Sequence, residues 1–164
     1  MALQDKQKNK LRHFLRVLMV FIAVLLLIFA VVIPMVNNAI ALGVENRLKA
    51  LPLPEGATQI ASISAAGDLT DANYGMQYFG AILIQSDLPV LDIIDFYNPY
   101  RHELMDCMVE KQSDATVTIN GKTLNDGKVR FTIENVGANA YMIYSWGSAP
   151  DWARTLLNAD SRAN

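Results

Sequence analysis

The sequence predicts an α+β domain attached to a single N-terminal membrane helix. Three observations lead there. Val17–Val36 is a run of 20 residues without a charge. Beyond it, short segments of period-two alternation surround one long amphipathic segment. Asn120-Gly121 and Asp126-Gly127 between those segments are hairpin signals, which favour an antiparallel sheet with a helix on one face. The expected order is β-β-α-β-β-β.

The apolar run comes first. At about 1.5 Å per helical residue it matches a hydrocarbon core of about 30 Å. Pro34 interrupts it near its far end, where a kink is expected. Lys6, Lys8, Lys10, Arg12 and Arg16 precede the run, against the single acid Asp5. This excess of positive charge places the N-terminus in the cytoplasm and the rest outside the cell membrane, as a single-pass signal-anchor. The rival is a cleaved signal with Ala39-Ile40-Ala41 at the cleavage site, but the run exceeds the usual signal core of about 7–15 residues. Charge divides with the run: residues 1–36 carry net +4 and residues 37–164 net −6, giving the overall −2. The acidic outer part argues against nucleic acid as a partner. The expected partners are the lipid bilayer and a protein of the envelope.

The expected organisation is a basic tail over 1–16, a transmembrane helix over 17–36, and a juxtamembrane helix with a proline-containing connector over 37–54. An exported domain over 55–158 and a tail over 159–164 complete it. In the juxtamembrane stretch Ile40, Val44, Leu48 and Leu51 recur at helical spacing, so it either continues the membrane helix or packs on the domain. Leu51-Pro52-Leu53-Pro54 stops it. Thr58–Ser64 reads as a strand, 65–75 as a polar loop, and Met76–Gln85 as a central strand, apolar on both faces. Ser86 or Asp87 caps a helix running to about Asp106, with Pro99 kinking or restarting it. This helix carries Ile93, Phe96, Tyr97 and Tyr100 on the arc expected to cover the sheet. Cys107–Lys111, the pair Val117–Ile119 and Lys122–Leu124, Val129–Ile133 and Ala140–Trp146 are the remaining strands. A short helix with Trp152 and Leu156 follows.

The segments LPLPEGATQI and YFGAILIQSDLP, followed by a helix with Phe96-Tyr97, resemble small single-pass membrane-anchored proteins of bacterial cell envelopes. The resemblance covers roughly residues 51–146. It implies an exported α+β domain and brings no catalytic residues with it.

Candidate sites are few. On one continuous helix His102 and Asp106 each fall within about 20° of Asp95. An imidazole between carboxylates suits a divalent metal or a general base; equally, the three belong to a solvated arc with Asp92 and Glu103. Asp68, Asp71, Asn73 and Gly75 offer oxygen ligands in one loop, but an EF-hand begun at Asp71 puts Ile82 at its bidentate position. Cys107, the single cysteine, excludes an internal disulfide and a multi-thiolate zinc site, and reads as a core residue. No phosphate, dinucleotide, serine-hydrolase or zincin motif occurs, so no catalytic residue and no cofactor is expected. Tyr144 and Trp146 share a strand face and, with Trp152, form either an interaction surface or core packing. The functional expectation is an interaction or accessory module of an envelope assembly. The alternative is an envelope hydrolase or a metal or ligand sensor using Asp95, His102 and Asp106; a sensor would have to signal through a partner helix.

Overall fold

The structure, a computed structural model, describes residues 2–70, 75–101, 106–148 and 152–163. Its backbone is helical from Ala2 to Lys49. α1 (Ala2–Leu27) passes through a π-helical segment (Ile28–Val32) into α2 (Ile33–Lys49). The π segment has a local cause. Proline has no N–H, and its ring collides with the carbonyl four residues earlier. One wide turn just before Pro34, with the Ile33 N–H donating to the Ile28 carbonyl, accommodates it. The expected kink is therefore a change of helical register.

The helix Lys8–Lys49 is long and apolar enough to cross a membrane, with a mean hydropathy of 3.3 over its most apolar window. Its two halves differ. Large apolar side chains from Leu11 to Val32 are exposed. From Ile33 onward a stripe of Ile33, Asn37, Ala41, Val44 and Leu48 is buried.

The strands are β1 (Thr58–Gly67), β2 (Gln77–Gln85), β3 (Met108–Gln112), β4 (Thr118–Ile119), β5 (Lys122–Thr123) and β6 (Ala140–Ser148). β1, β2, β6 and β3 form one antiparallel sheet in that spatial order, and β4 and β5 form a separate hairpin. The chain is thus α+β with a small antiparallel sheet, but the order of strands differs from the expected β-β-α-β-β-β, with the β4–β5 hairpin outside the main sheet. The last strand inserts between β2 and β3. Its composition explains the position: Tyr141 and Ile143 bury on one face, Ala140, Met142 and Tyr144 on the other. β3 buries only Gln112 fully and lies at an edge.

The helices collect on one face of the sheet. Tyr78, Ile82 and Ile84 of β2 meet α2, α3 (Val90–Tyr97) and α4 (Arg154–Leu157) there. The principal cover is α2, not the segment after Ser86. Gly80 marks the crossing, since a β-carbon on it would sit 2.5 Å from the Glu45 backbone nitrogen. The helix after Ser86 is shorter than expected. The Ser86 hydroxyl accepts the Leu88 N–H in a turn, so α3 starts at Val90. At Pro99 the α-helix has given way to a 3-10 turn over Asn98–Tyr100.

On the other face Phe79, Ala81, Leu83, Met142 and Tyr144 are covered by Val117, Leu124, Val129 and Phe131. Val129–Ile133 was expected as a strand. Its side chains do alternate, with Val129 and Phe131 buried and Arg130 and Thr132 exposed. Its backbone pairs only through a Thr116–Arg130 bridge and two hydrogen bonds, from Phe131 to Ala115 and from Val117 to Val129.

Candidate functional site

The face of the sheet away from the helices carries a concavity with a largely apolar lining. Phe79 on β2 and Tyr144 and Trp146 on β6 point the same way by strand periodicity. The Phe79 ring lies 5.9 Å from Tyr144 and 5.4 Å, edge-on, from Trp146. Such edge contacts favour one orientation of each ring. The β4–β5 hairpin is held over these rings. Asn120 and Gly121 both take positive φ, as the tight turn requires. Buried Gln112 donates to the Thr118 carbonyl at 3.0 Å and accepts the Thr118 N–H at 3.2 Å, fixing the hairpin to β3. The Leu69 N–H donates to Gln77 Oε1 at 2.9 Å, fixing the adjoining loop.

Between hairpin, loop and sheet lies a cavity of about 580 Å³. Leu69, Met108, Ile119, Leu124, Tyr144 and Trp146 supply apolar lining, and Thr70, Asn120, Lys122 and Thr123 supply polar groups. A smaller cavity of about 410 Å³ shares Met108, Asn120 and Tyr144 and extends to Arg101, Cys107 and Glu110. Burial, with the Glu110 charge adding, pushes the Tyr144 phenol up to about 12. At neutral pH it is a neutral donor beside the apolar lining. Burial likewise pushes the Cys107 thiol up to about 11, against a lowering by Arg101. A protonated, buried thiol is a packing group rather than a nucleophile.

Among the described residues, the candidates Trp152, Asp95 and Asp106 do not line this cavity. Trp152 is 89% exposed and adjoins Ala153, which packs on the helix-covered face. Tyr144 and Trp146 therefore share one surface, and Trp152 lies on another. Asp95 is exposed on α3. Asp106 is exposed with a φ of 69°, beyond the end of the helix, so the two do not share one helical face. His102 lies outside the described residues, as do Asp71 and Asn73 of the oxygen-rich loop. Among the described residues no three His, Cys, Asp or Glu gather as a metal would need.

Sequence reasoning missed a buried polar network on the helix-covered face. Asn37 is fully buried. Its amide donates to the Leu157 carbonyl at 3.1 Å and to Asp160 Oδ2 at 3.0 Å, and its Oδ1 accepts the Tyr78 hydroxyl at 2.7 Å. Arg162 pairs with Asp160 at 2.6 Å and donates to Asn38 Oδ1 at 2.8 Å and to the Pro34 carbonyl at 3.3 Å. The Arg162 hydrogen bond is the largest influence on the Asp160 carboxyl; with help from Asn37 it outweighs burial and holds the group at about 2. Residues 160–163, expected as a tail, are thus stitched onto α2. About two turns further along α2, buried Glu45 accepts from Ser62 at 2.6 Å and Lys49 at 3.3 Å. Burial alone would raise this carboxyl, but bonds from Ser62, Ser64 and Lys49 leave it below its ordinary value. The available signal was positional: Asn37 and Glu45 fall on or beside the stripe of Ile33, Ala41, Val44 and Leu48.

Comparison with protein-family models, with curated proteins and with solved structures returned no match.

Proposed function

We propose that this chain is a single-pass membrane protein whose outer domain is a docking module for another envelope protein. In this reading residues 17–36 span the bilayer with the basic N-terminal flank in the cytoplasm. The observation that carries the docking function is the cavity of about 580 Å³ under the β4–β5 hairpin. Its apolar lining suits an apolar or aromatic side chain of a partner, and Lys122 offers a charge for a neighbouring carboxylate. Support also comes from α2, which runs out of the apolar helix directly into the sheet packing, with Ile33 and Asn37 already buried by the domain. The cavity is then presented at a fixed height and angle above the bilayer.

The test is photocrosslinking in native membranes, with a photoreactive residue at Ile119 and, as control, at exposed Leu91. The reading expects one discrete protein adduct from position 119 that is lost in Trp146→Ala and absent from position 91. No protein adduct, with a small apolar molecule recovered from the purified full chain instead, overturns docking in favour of ligand sensing. A cavity of this size is also within the range of about 300–1,000 Å³ for small-molecule sites.

A further inference from the structure

The segment after β6 presents its apolar side chains outward where polar ones are expected. Ala153 and Leu157 are buried against Ile33, Ala41 and Met76. Trp152, in the turn before α4, and Leu156, on α4, are 89% and 55% exposed. Single exposed apolar residues are ordinary on a protein surface. Here their height is fixed. Leu157 bonds to Asn37, and Arg162 bonds to Asn38 and to the Pro34 carbonyl. The segment is thus held level with the last turn of the 17–36 apolar run and the residues just past it. Met35 and Val36 on that turn are themselves exposed. Trp152 and Leu156 are therefore exposed at the level where the apolar surface of the helix ends.

We propose that Trp152 and Leu156 lie in the headgroup–acyl boundary of the outer leaflet, giving the domain a second contact with the bilayer. The inference rests on the reading of residues 17–36 as a span. Tryptophan suits that depth because its ring is apolar while its N–H remains in reach of water and headgroups. Two contacts at different points fix the rotation of the domain about the helix axis, which one helix through the bilayer leaves free. The occupant is the lipid surface because the hydrogen bonds to Pro34, Asn37 and Asn38 hold these exposed apolar side chains level with the end of the apolar run.

The chain has two tryptophans, Trp146 and Trp152. Trp146→Phe in the full-length chain, reconstituted into phosphatidylcholine vesicles, leaves Trp152 as the reporter. Its emission should be blue-shifted, strongly quenched by lipid brominated near the top of the acyl chain, and shielded from aqueous acrylamide. A control chain carries Phe21→Trp with both native tryptophans replaced by Phe, and should be quenched by lipid brominated near the chain end. If the control is quenched while Trp152 stays open to acrylamide and unaffected by bromine, the interfacial contact is wrong and the span stands. If neither is quenched by lipid, both readings are wrong. Trp152→Ala in the otherwise native chain should remove the shallow quenching and leave Trp146 emission unchanged; persistence of that quenching would assign it to Trp146 and overturn the proposal.

Discussion

The two faces of the sheet are covered by different kinds of structure. On one, α2 crosses at Gly80 with no side chain between the backbones, and the contact is bounded by two satisfied polar groups, Asn37 and Glu45. On the other, a hairpin and irregular chain rest on Phe79, Tyr144 and Trp146 and leave a cavity. A regular helix can fit a sheet closely along its whole length, so that face leaves no room for change and fixes the domain to the apolar helix. Irregular cover is pinned at separate points, by Gln112 and Gln77, and leaves space between them. The helix-covered face therefore carries orientation, and the loop-covered face has room for a ligand or partner.

Substitutions should separate the two faces by size of effect. Gly80→Val should do the most damage. Its β-carbon would meet helix backbone at Val44 and Glu45 as well as the Val44 side chain, and the backbone cannot swing aside. The expected loss is about 3 kcal/mol or more, read as failure of the full chain to give a cooperative melt in detergent. Asn37→Leu comes next. It strands the Tyr78 hydroxyl and removes a partner from buried Asp160, so chemical denaturation should show a loss of about 2–3 kcal/mol. Acid should act on the same network. The Asp160 carboxyl is depressed from 3.8 to about 2, so its contribution is complete above about pH 4 and lost as pH falls toward 2. That contribution amounts to about 2 kcal/mol, and Asp160→Asn should flatten the dependence across this window. Trp146→Ala on the opposite face should be mildest for stability, at about 1 kcal/mol from the lost ring contact. It should nevertheless abolish crosslinking from position 119. Equal destabilisation by Trp146→Ala and Asn37→Leu would erase the contrast between the faces.

Strand faces were legible because alternation is a local property. Tyr78, Ile82 and Ile84 against Phe79, Ala81 and Leu83, and Tyr141 against Tyr144 and Trp146, follow from period two alone. The Asn120-Gly121 turn was equally local. The covering role of α2 was half legible, since Val44 and Leu48 fall on the expected helical stripe and pack on the domain, while its polar members hid the rest. Asn37 and Glu45 look like surface residues until their partners are known, and Tyr78, Asp160 and Ser62 lie far away in sequence. Val129–Ile133 shows the converse error. Alternating burial arises wherever an extended chain lies on an apolar surface, and it does not require a ladder of hydrogen bonds. The cavity itself was half visible. Tyr144 and Trp146 could be placed on one face, but Leu69, Ile119 and Leu124 reach it from separate segments that only tertiary folding brings together. Asp95 and Asp106 do not share a helical face because α3 ends at Tyr97, before Pro99, and Asp106 lies beyond it with a positive φ.

The central claim is that one unbroken helix carries both the apolar run and the packing of the domain, so the two move as one body. Spin labels at Phe21→Cys and Leu91→Cys, in a Cys107→Ala background, test this by electron spin distance measurement on the full chain in bilayers. The account predicts a single narrow distance distribution that broadens in Asn37→Leu. A broad or multiple distribution in the chain with Asn37 intact would show a hinge between the apolar helix and the domain, and would contradict it.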